Sequence, residues 1–339
     1  MKRHLILLLL SVFLLTGCAS SVEEPSFAPE EEDILVLYTS HKKEVWLPIV
    51  EEFEDRTGIW VQIREGGTNE LLERLQQERA APKADVMFGG GVENLEAAVE
   101  LFAPYESENT RDVYPRYLEE DSLWTPFSAL PLVLIYNPKL VDAEAVTGWA
   151  NLLNPVFRGR IAFADPSVSG SSYTALATMV QALDGDTDEI LRRFAQNLMG
   201  KQLSSSGDVL TSVARGESWV GVTLEETASR RIAAGDPLVM VYPKEGTSCV
   251  PDGCALIAGS PHPDNAKAFL DFTVSRDVQQ LLQERFCRRP VRMDLEGAGT
   301  LPSLRKLTQI DYDLTWASTH REQLLMSWAF YLGGEGETP

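Results

Sequence analysis

The sequence is poor in histidine, in cysteine and in positive charge. It has four His and four Cys among 339 residues, and its 30 Lys and Arg against 50 Asp and Glu leave a formal net charge of -20. Nucleic-acid binding needs clustered basic residues, and so does docking on anionic lipid, so this composition argues against both. The few scattered cysteines exclude a zinc ribbon and a disulfide scaffold. The length suggests two domains, since single hydrophobic cores stop growing at roughly 250–300 residues.

Motifs of catalysis are missing as well. The chain has no Gly-x-Ser-x-Gly elbow, no His-Glu-x-x-His pair and no phosphate-binding loop of the Gly-x-x-x-x-Gly-Lys-Ser/Thr type. His262 lies in a proline-flanked loop and His320 in a polar stretch, so we expect both at the surface. His41 could serve a serine as a base, but the sequence positions no carboxylate to orient it. We therefore expect a protein that is not an enzyme and that has no cofactor and no metal site.

The N-terminus has a basic start followed by an apolar run. Lys2 and Arg3 precede residues 5–15, a run about half as long as the roughly 20 residues that span a bilayer, which indicates the core of a signal peptide. The run ends in Leu15-Thr16-Gly17-Cys18, which resembles the lipobox of bacterial lipoproteins, in which the Cys is acylated and becomes the new N-terminus. The alternative is an ordinary secretion signal that happens to contain a Cys.

The lipobox resemblance implies a protein that is anchored by lipid on the extracytoplasmic face of the cell membrane. Residues 1–17 would be removed and Cys18 lipidated. Residues 18–32, which are acidic and contain Pro and Ser, are expected to form a flexible tether. No later segment is long and apolar enough to cross a membrane, and we expect a monomer.

Three further cysteines lie in the second half of the chain. Cys249 and Cys254 flank Val-Pro-Asp-Gly, in which Pro-Asp-Gly is a turn signal that would bring the two cysteines close. A disulfide in an oxidising compartment and two buried thiols both remain open. Cys287 is expected to be a free structural thiol.

Short β-rich runs alternate with helical runs from Ile34 onward, and this alternation predicts α/β lobes with open sheets. The predicted strands are 34–38, 59–64, 84–88, 132–136, 161–164, 219–223, 238–242 and 254–258. The predicted helices are 43–57, 69–80, 92–101, 171–183, 187–199, 207–215, 225–235 and 263–285. The pattern restarts after residue 131, which predicts one lobe from 33–130 plus about 252–290 and a second from 131–251. Residues 291–339 are expected to add helices that pack on a lobe.

Small hydroxyl and glycine residues follow most of the predicted strands. Ligands of open α/β sheets bind at these strand ends, where helix N-termini present free backbone N–H groups. Such termini, together with Ser and Thr hydroxyls, can hold a phosphate or carboxylate in a protein whose net charge repels anions. Each site alone could equally be an ordinary helix N-cap. The recurrence of the pattern in both halves favours a shared anion site.

Several segments together carry a likeness to a known family. They are residues 33–44, 53–58, 84–91, 169–174, 242–248 and 264–272. As a set they resemble the extracellular solute-binding proteins of bacterial ABC importers, specifically the ferric-iron-binding-like family of type II periplasmic binding proteins. The resemblance implies two lobes, each a mixed open sheet flanked by helices. It also implies a hinged clamp that closes on a small ligand and presents it to a membrane permease and its ATPase.

The ligand implied by the resemblance depends on which relatives the chain follows. Iron binders of the family use a His after the first strand, a Glu near the third strand and two adjacent Tyr in the second lobe. His41 matches the first, but Gly89-Gly90-Gly91 stands at the third strand and residues 223–226 contain no Tyr. Other relatives bind phosphorylated sugars or phosphonates through Ser/Thr/Gly loops. A phosphorylated or phosphonate organic anion is therefore favoured, with ferric iron as the alternative ligand and a ligand-sensing subunit for a membrane receptor as the alternative of another class.

The candidate site follows from that preference. The anion is expected near hydroxyl and glycine residues, namely Thr39, Ser40, Ser169, Gly170, Ser171, Ser172 and Ser205. His41, ionisable near neutral pH, would donate to the anion, and the backbone at Gly90 and Gly91 would approach the ligand. Glu225 or Glu226 would accept hydrogen bonds from sugar hydroxyls or pair with an ammonium group. The alternative is that both glutamates are solvated residues of a first helical turn.

Overall fold

Strands and helices alternate along the chain, largely at the predicted positions. The computed structural model describes residues 29–295 and 301–333. Its strands are β1 (Ile34–Thr39), β2 (Trp60–Glu65), β3 (Val86–Gly91), β4 (Phe102–Ala103), β5 (Thr125–Ala129), β6 (Leu132–Tyr136), β7 (Ile161–Ala162), β8 (Val220–Leu224), β9 (Val239–Val241), β10 (Pro251–Ile257) and β11 (Arg289–Pro290). Its α-helices are α1 (Lys43–Thr57), α2 (Thr68–Glu78), α3 (Val92–Glu96), α4 (Trp149–Leu152), α5 (Gly170–Ala182), α6 (Thr187–Leu198), α7 (Ser206–Ala214), α8 (Glu225–Ala233), α9 (Pro263–Thr273), α10 (Arg276–Phe286), α11 (Leu314–Thr319) and α12 (Arg321–Leu332).

The predicted signal peptide, Cys18 and most of the predicted tether lie outside the described residues. Within 29–295 and 301–333, no helix has both the length and the apolar character that a membrane span requires.

The first sheet has seven strands in the order β11-β5-β10-β3-β1-β2, with β4 paired to β10. β1 is parallel to β2 and β3, whereas β10 runs antiparallel to β3 and β5. The apolar run of β1 is typical of a parallel strand that is covered on both faces. Its carboxyl end therefore lies beside that of β3, where a ligand site is expected. We name this sheet and its helices lobe 1.

The second sheet has four strands in the order β7-β8-β6-β9. β6 is antiparallel to β8 and β9, and β7 is parallel to β8. We name this sheet and its helices lobe 2. The chain passes between the lobes after β5, again before β10, and a third time between β11 and the C-terminal helices. The first two crossings lie side by side because Leu130 N donates to Val250 O (3.1 Å). We name these two adjacent crossings the hinge, after the clamp that the family resemblance implies.

Aromatic side chains fill both cores. In lobe 1, the rings of Phe88 and Phe127 meet edge to face at 5.0 Å. In lobe 2, Trp328 of α12 lies 5.7 Å from Phe163 and 5.4 Å from Phe194, measured between ring centroids. The C-terminal helices therefore pack into the core of lobe 2. They also reach lobe 1, because the Arg321 guanidinium donates to Asn69 and Asn94.

The structure differs from the sequence-based expectations around the late cysteines. The predicted turn at Pro251-Asp252-Gly253 is wrong, because these residues form the start of β10 and are paired to β3 on one side and β5 on the other. A bulge at Asp252 accommodates the irregular local conformation. Cys249 and Cys254 are free and buried, and Cys287 is also free. Ladder hydrogen bonds from two neighbouring strands outweigh the turn preference.

Two further differences concern the segment after β10. The single helix predicted for 263–285 is two helices, and Ser275 caps the second by accepting from Val278 N. The side chain of His262 is only 15% exposed rather than fully solvated, because its Nδ1 lies 2.9 Å from the buried Asp85 carboxylate. His320 is exposed, as expected.

Candidate functional site

A cavity of about 330 Å³ lies between the two lobes. This volume is at the low end of the roughly 300–1,000 Å³ that small-molecule pockets occupy. Lobe 1 contributes the carboxyl ends of β1 and β3 and the start of α2, and lobe 2 contributes the starts of α5, α7 and α8. Leu130 and Val250 of the hinge also line it. A ligand held here would contact both lobes at once.

Most of the predicted site residues line this cavity. They are Ser40, His41, Gly90, Gly91, Ser169, Gly170, Ser171, Ser205 and Glu226. The three others, Thr39, Ser172 and Glu225, do not line it. The part that each residue plays in ligand binding stays a prediction.

Helix N-termini converge on the cavity from both lobes. Ser169 caps α5 by accepting from Ser172 N, and Ser205 caps α7 by accepting from Asp208 N. The N-cap residue of α8, Leu224, makes no such side-chain bond. These helices have nine residues or more, so the dipole and the unpaired amides of each first turn add positive potential. The cavity is therefore suited to an anion.

Two predicted residues have structural roles beside the cavity. Thr39 is fully buried, and its hydroxyl donates to Phe88 O (2.8 Å) and accepts from His41 N (3.1 Å). Ser172 donates its hydroxyl to Ser169 Oγ (3.1 Å). The first bond fixes the turn after β1, and the second orients the capping serine of α5.

Glu225 is paired with an arginine of the other lobe. Arg289 Nε donates to Glu225 Oε2 (2.6 Å) and Arg289 Nη2 to Glu225 Oε1 (2.7 Å), and the Tyr242 hydroxyl donates to the same carboxylate. Both charged side chains are at most 2% exposed. The neighbouring Glu226 faces the cavity instead, because successive residues of a helix point in different directions.

His41 is buried against aromatic rings and does not behave as expected. Its ring lies 4.6 Å from the Phe88 centroid and 5.1 Å from that of Phe127. Burial holds the pKa of His41 well below its usual 6.5, and the positive charge of Arg288 lowers that pKa further. The ring is thus neutral near pH 7, with Nε2 3.6 Å from Asp252 Oδ2. A neutral imidazole still carries one N–H, so the predicted role of His41 as a donor to the anion stays a prediction.

Gly89 explains how the His41 ring fits so closely against β3. Gly89 has a φ of 101°, in the region that favours glycine, and a Cβ there would lie 2.8 Å from His41 Nε2. Any larger residue would both strain the backbone and collide with the ring.

Charges alternate along one wall of the cavity and link the lobes. Arg288 Nη1 donates to Asp252 Oδ2 (2.7 Å), and Arg288 Nη2 lies 3.6 Å from Glu226 Oε1. Arg230 Nη2 is 3.0 Å from Glu226 Oε2, and Arg230 Nη1 is 3.8 Å from Glu44 Oε1. Sequence patterns missed Asp252, Arg230 and Arg288, because each acquires its position through tertiary pairing rather than at a predicted strand end.

Lys42 was also missed, although it directly follows a predicted site residue. It is exposed, and among the described residues it has no ion-pair partner within 4 Å. Its Nζ lies 3.5 Å from where a Cβ of Gly207 would be, so the side chain reaches from lobe 1 to the start of α7 in lobe 2. With His41 neutral, the lining carries three cations and two carboxylates. One net positive charge thus faces the cavity in a chain whose total is -20.

Metal ligation has little support here. Among the described residues, no group of three or more His, Cys, Asp and Glu side chains is placed to hold a metal ion. No tyrosine is found among the described residues that line the cavity.

Residues 34–287 match the family model described as bacterial extracellular solute-binding protein. The chain belongs to this family. As a solute-binding protein it is the binding component of an ABC importer, acts outside the cytoplasm together with permease and ATPase subunits, and is not an enzyme. The expectations for family and function class are thereby confirmed.

Relatives of this solute-binding protein carry different ligand names. Iron uptake protein A1 of Synechocystis is 26% identical over 319 residues, which cover 89% of this chain and 87% of the relative. A putative 2-aminoethylphosphonate-binding periplasmic protein of Salmonella typhimurium is 26% identical over 301 residues, or 85% of each chain. The names of the relatives therefore do not identify the ligand of this protein.

A solved structure confirms the fold. The periplasmic binding protein AfuA of Actinobacillus pleuropneumoniae, with exogenous fructose-6-phosphate bound, superposes with a TM-score of 0.82 at 26% identity, covering 88% of this chain and 98% of AfuA. The two-lobed fold of a type II periplasmic binding protein, predicted from the sequence, is thus confirmed.

Proposed function

We propose that this solute-binding protein captures a small phosphorylated or phosphonate organic anion between its lobes and delivers it to the permease. The observation that carries the proposal is the local reversal of charge. The cavity combines several helix N-termini with Ser and Thr hydroxyls and one net positive charge, within a strongly acidic chain. A phosphoryl group is the anion that such a combination suits best.

The anionic end of the ligand would lie between the N-termini of α5 and α7 and the Lys42 ammonium. In that position Ser169 and Ser171 would donate hydroxyl protons, and first-turn amides would add further donors. Ser205 would donate only by giving up its present bond to Asp208 Oδ2 (3.0 Å). Lys42 near the start of α7 is a cation beside the positive end of a helix dipole, which is unfavourable by itself. An anion placed between the Lys42 ammonium and the start of α7 would be attracted to both and would offset their repulsion.

The organic part of the ligand would face Glu226 and the apolar side chains. Glu226 keeps carboxylate lone pairs beyond its arginine contacts, which can accept from sugar hydroxyls or pair with an ammonium group. Val45, Leu130 and Leu224 supply apolar surface around it. A phosphorylated polyol and an aminophosphonate both satisfy this arrangement.

Ferric iron is the second candidate ligand, favoured by the relative named iron uptake protein A1. Iron of this charge takes anionic oxygen ligands. Asp252 and Glu226 are the carboxylates of the described lining, and both lie within 4 Å of Arg288. Binding iron there would require breaking these ion pairs, so the phosphoryl ligand is preferred.

A lipid anchor at Cys18 forms part of the proposal. Acylation would place the binding protein at the cell membrane through the tether of residues 18–32, as a monomer. Mass spectrometry of the membrane fraction is expected to show an acylated Cys18 at the mature N-terminus. A Cys18→Ala variant is expected to leave the membrane fraction, and an unmodified wild-type chain cleaved elsewhere would contradict the anchor.

The experiment is thermal unfolding of the chain from Ala19, stripped of co-purified ligand, against a panel. The panel holds hexose phosphates, 2-aminoethylphosphonate, inorganic phosphate, the unphosphorylated hexoses and ferric citrate. A ligand at one hundred times its dissociation constant stabilises by about 2.7 kcal/mol. A rise in melting temperature with phosphorylated or phosphonate compounds alone is expected. A rise with ferric citrate alone would overturn the proposal.

A further inference from the structure

Glu93 is a buried carboxylate at the place where the lobes meet. It belongs to α3 of lobe 1 and has no exposed surface. Its Oε1 accepts the hydroxyl of Thr174, which belongs to α5 of lobe 2. Its Oε2 is buried and has no hydrogen-bond partner among the described residues. A buried carboxylate with a hydrogen bond to only one of its oxygens has a high free energy in its charged form.

Among the residues that the structure describes, no cation forms an ion pair with Glu93. Arg321 of α12 is the nearest positive charge that acts on it, but the Arg321 guanidinium donates to Asn69 and Asn94 instead. The hydroxyls of Tyr312 and Tyr173 are its other titratable neighbours. Burial outweighs the bond from Thr174, the charge of Arg321 and the interaction with the Tyr312 hydroxyl, so the pKa of Glu93 is raised above its usual 4.5.

The groups that bury Glu93 come from the opposite side of the cleft. Thr174 belongs to lobe 2, and α12, which carries Arg321, packs into the core of lobe 2. Nearby, Asn69 of lobe 1 donates to Ser167 O of lobe 2. The contact between Glu93 and Thr174 is therefore one of several hydrogen bonds between the lobes. If the lobes parted at the hinge, Glu93 would lose these neighbours and regain water.

We infer that Glu93 is a proton-coupled latch, and that closure of the lobes on a ligand takes up one solvent proton at the Glu93 carboxylate. The inference deepens the proposed function, because it rests on capture of a ligand between the lobes. Protonation removes the charge that would otherwise be buried without a partner. Glu93 itself does not line the cavity, but its partner Thr174 does, so the latch adjoins the anion site.

The direction of the pH effect follows from linkage. With the lobes apart, Glu93 is hydrated and titrates near its usual pKa; with the lobes together, its pKa is raised. Protons therefore favour closure, and closure weakens as the pH rises through the raised pKa. The proton-linked affinity changes by at most about tenfold per pH unit, which is the limit for a single proton.

The test that needs no ligand is small-angle X-ray scattering of the chain from Ala19 between pH 5 and pH 8. The wild-type radius of gyration is expected to increase with pH as the lobes open. Glu93→Gln, which mimics the protonated carboxyl, is expected to stay compact throughout. Glu96→Gln, on the same helix, is the control and is expected to follow the wild type. Equal pH profiles for wild type and Glu93→Gln would overturn the latch.

A second variant keeps the inference testable if Glu93→Gln does not fold. Thr174→Val removes the bond that lowers the pKa of Glu93 while leaving the charge in place. Losing this bond destabilises the charged, closed form further, so Thr174→Val is expected to open at lower pH than wild type. It is expected to stay as closed as wild type at the acidic end of the range, where Glu93 is protonated. A purely structural bond would loosen closure by the same factor at the acidic and the alkaline end of the range, and that result would overturn the latch.

Calorimetry separates the latch from the proposed ligand. Fructose 6-phosphate is titrated in buffers of different ionisation enthalpy, and wild type is expected to take up as much as one proton more than Glu93→Gln. Equal uptake would overturn the latch. If fructose 6-phosphate and the other phosphorylated compounds fail to bind, the proposed ligand fails, while the scattering profiles still decide the latch.

Discussion

Glu225 of lobe 2 and Arg289 of lobe 1 form a buried bidentate ion pair, with N–O distances of 2.6 and 2.7 Å. The next residue, Glu226, lines the cavity and pairs with Arg230 at 3.0 Å. Two consecutive glutamates at one helix start thus have separate roles. The first holds the lobes together near the hinge, and the second is available to a ligand.

The two glutamates are expected to respond differently to the same substitution. Glu225→Gln leaves Arg289 buried without its charged partner, which costs about 3–5 kcal/mol. Glu226→Gln costs less, because Arg288 keeps Asp252 and Arg230 keeps Glu44. Urea unfolding of both variants measures the difference. Equal losses of stability would contradict the division of roles.

Gly89 is expected to tolerate no side chain. Gly89→Ala adds the strain of a positive φ, about 1–2 kcal/mol, to a collision with the His41 ring. Gly235→Ala is the matched control, because Gly235 has a φ of 94° and nothing within 4 Å of its Cβ position. Unfolding measurements should show a clearly larger loss for Gly89→Ala. Equal losses would mean that His41 moves aside freely.

His41 is expected to weaken the fold in acid. Its pKa is lowered in the folded state, so the unfolded chain takes up the proton more readily. Stability is then lost as the pH falls below 6.5 toward the folded-state pKa. The melting temperature of wild type should therefore fall more steeply than that of His41→Gln in this range. An NMR signal of His41 that titrates near pH 6.5 would contradict the account.

Trp328 is expected to be the residue that attaches the C-terminal helix to lobe 2. It is 2% exposed and packs on Phe163 and Phe194. Trp328→Ala should cost about 3–5 kcal/mol, as large aromatic truncations in cores do. The control is Trp60→Ala, since Trp60 is 54% exposed and should cost little. Comparable midpoints of denaturant unfolding for the two variants would exclude this packing.

Local sequence patterns predicted the regular elements well. The helix at 43–57 and the strand at 132–136 occur with the predicted bounds, because apolar periodicity and the stop at Gly58 are local signals. β4 and β11 have two residues each and were missed, since strands that short have no detectable period. β5 was missed as well, because Pro126 and Ser128 interrupt its apolar pattern. Pairing with the neighbouring strands also determines the conformation of β10, although the local sequence at its start favours a turn.

The candidate site was predictable where it rests on helix N-caps and on the ends of predicted strands, such as Ser40 and Gly90. Ser169 and Ser205 could be found because serine before a helix is a local signal. Arg288 and Asp252 could not, because their pairing joins segments 36 residues apart. The neutral state of His41 was also hidden, since it depends on burial by Phe88 and Phe127.

The most direct test of the central claim is the affinity for a hexose 6-phosphate compared with the free hexose, measured by calorimetry at several salt concentrations. Wild type is expected to bind only the phosphorylated sugar, more weakly as salt increases. Lys42→Gln should lose about tenfold or more in affinity, as removal of a charge-assisted hydrogen bond predicts. Lys43→Gln, next in the chain but outside the cavity lining, should bind as wild type does. Equal affinity for the two sugars, or tight ferric binding that Lys42→Gln leaves unchanged, would contradict the account.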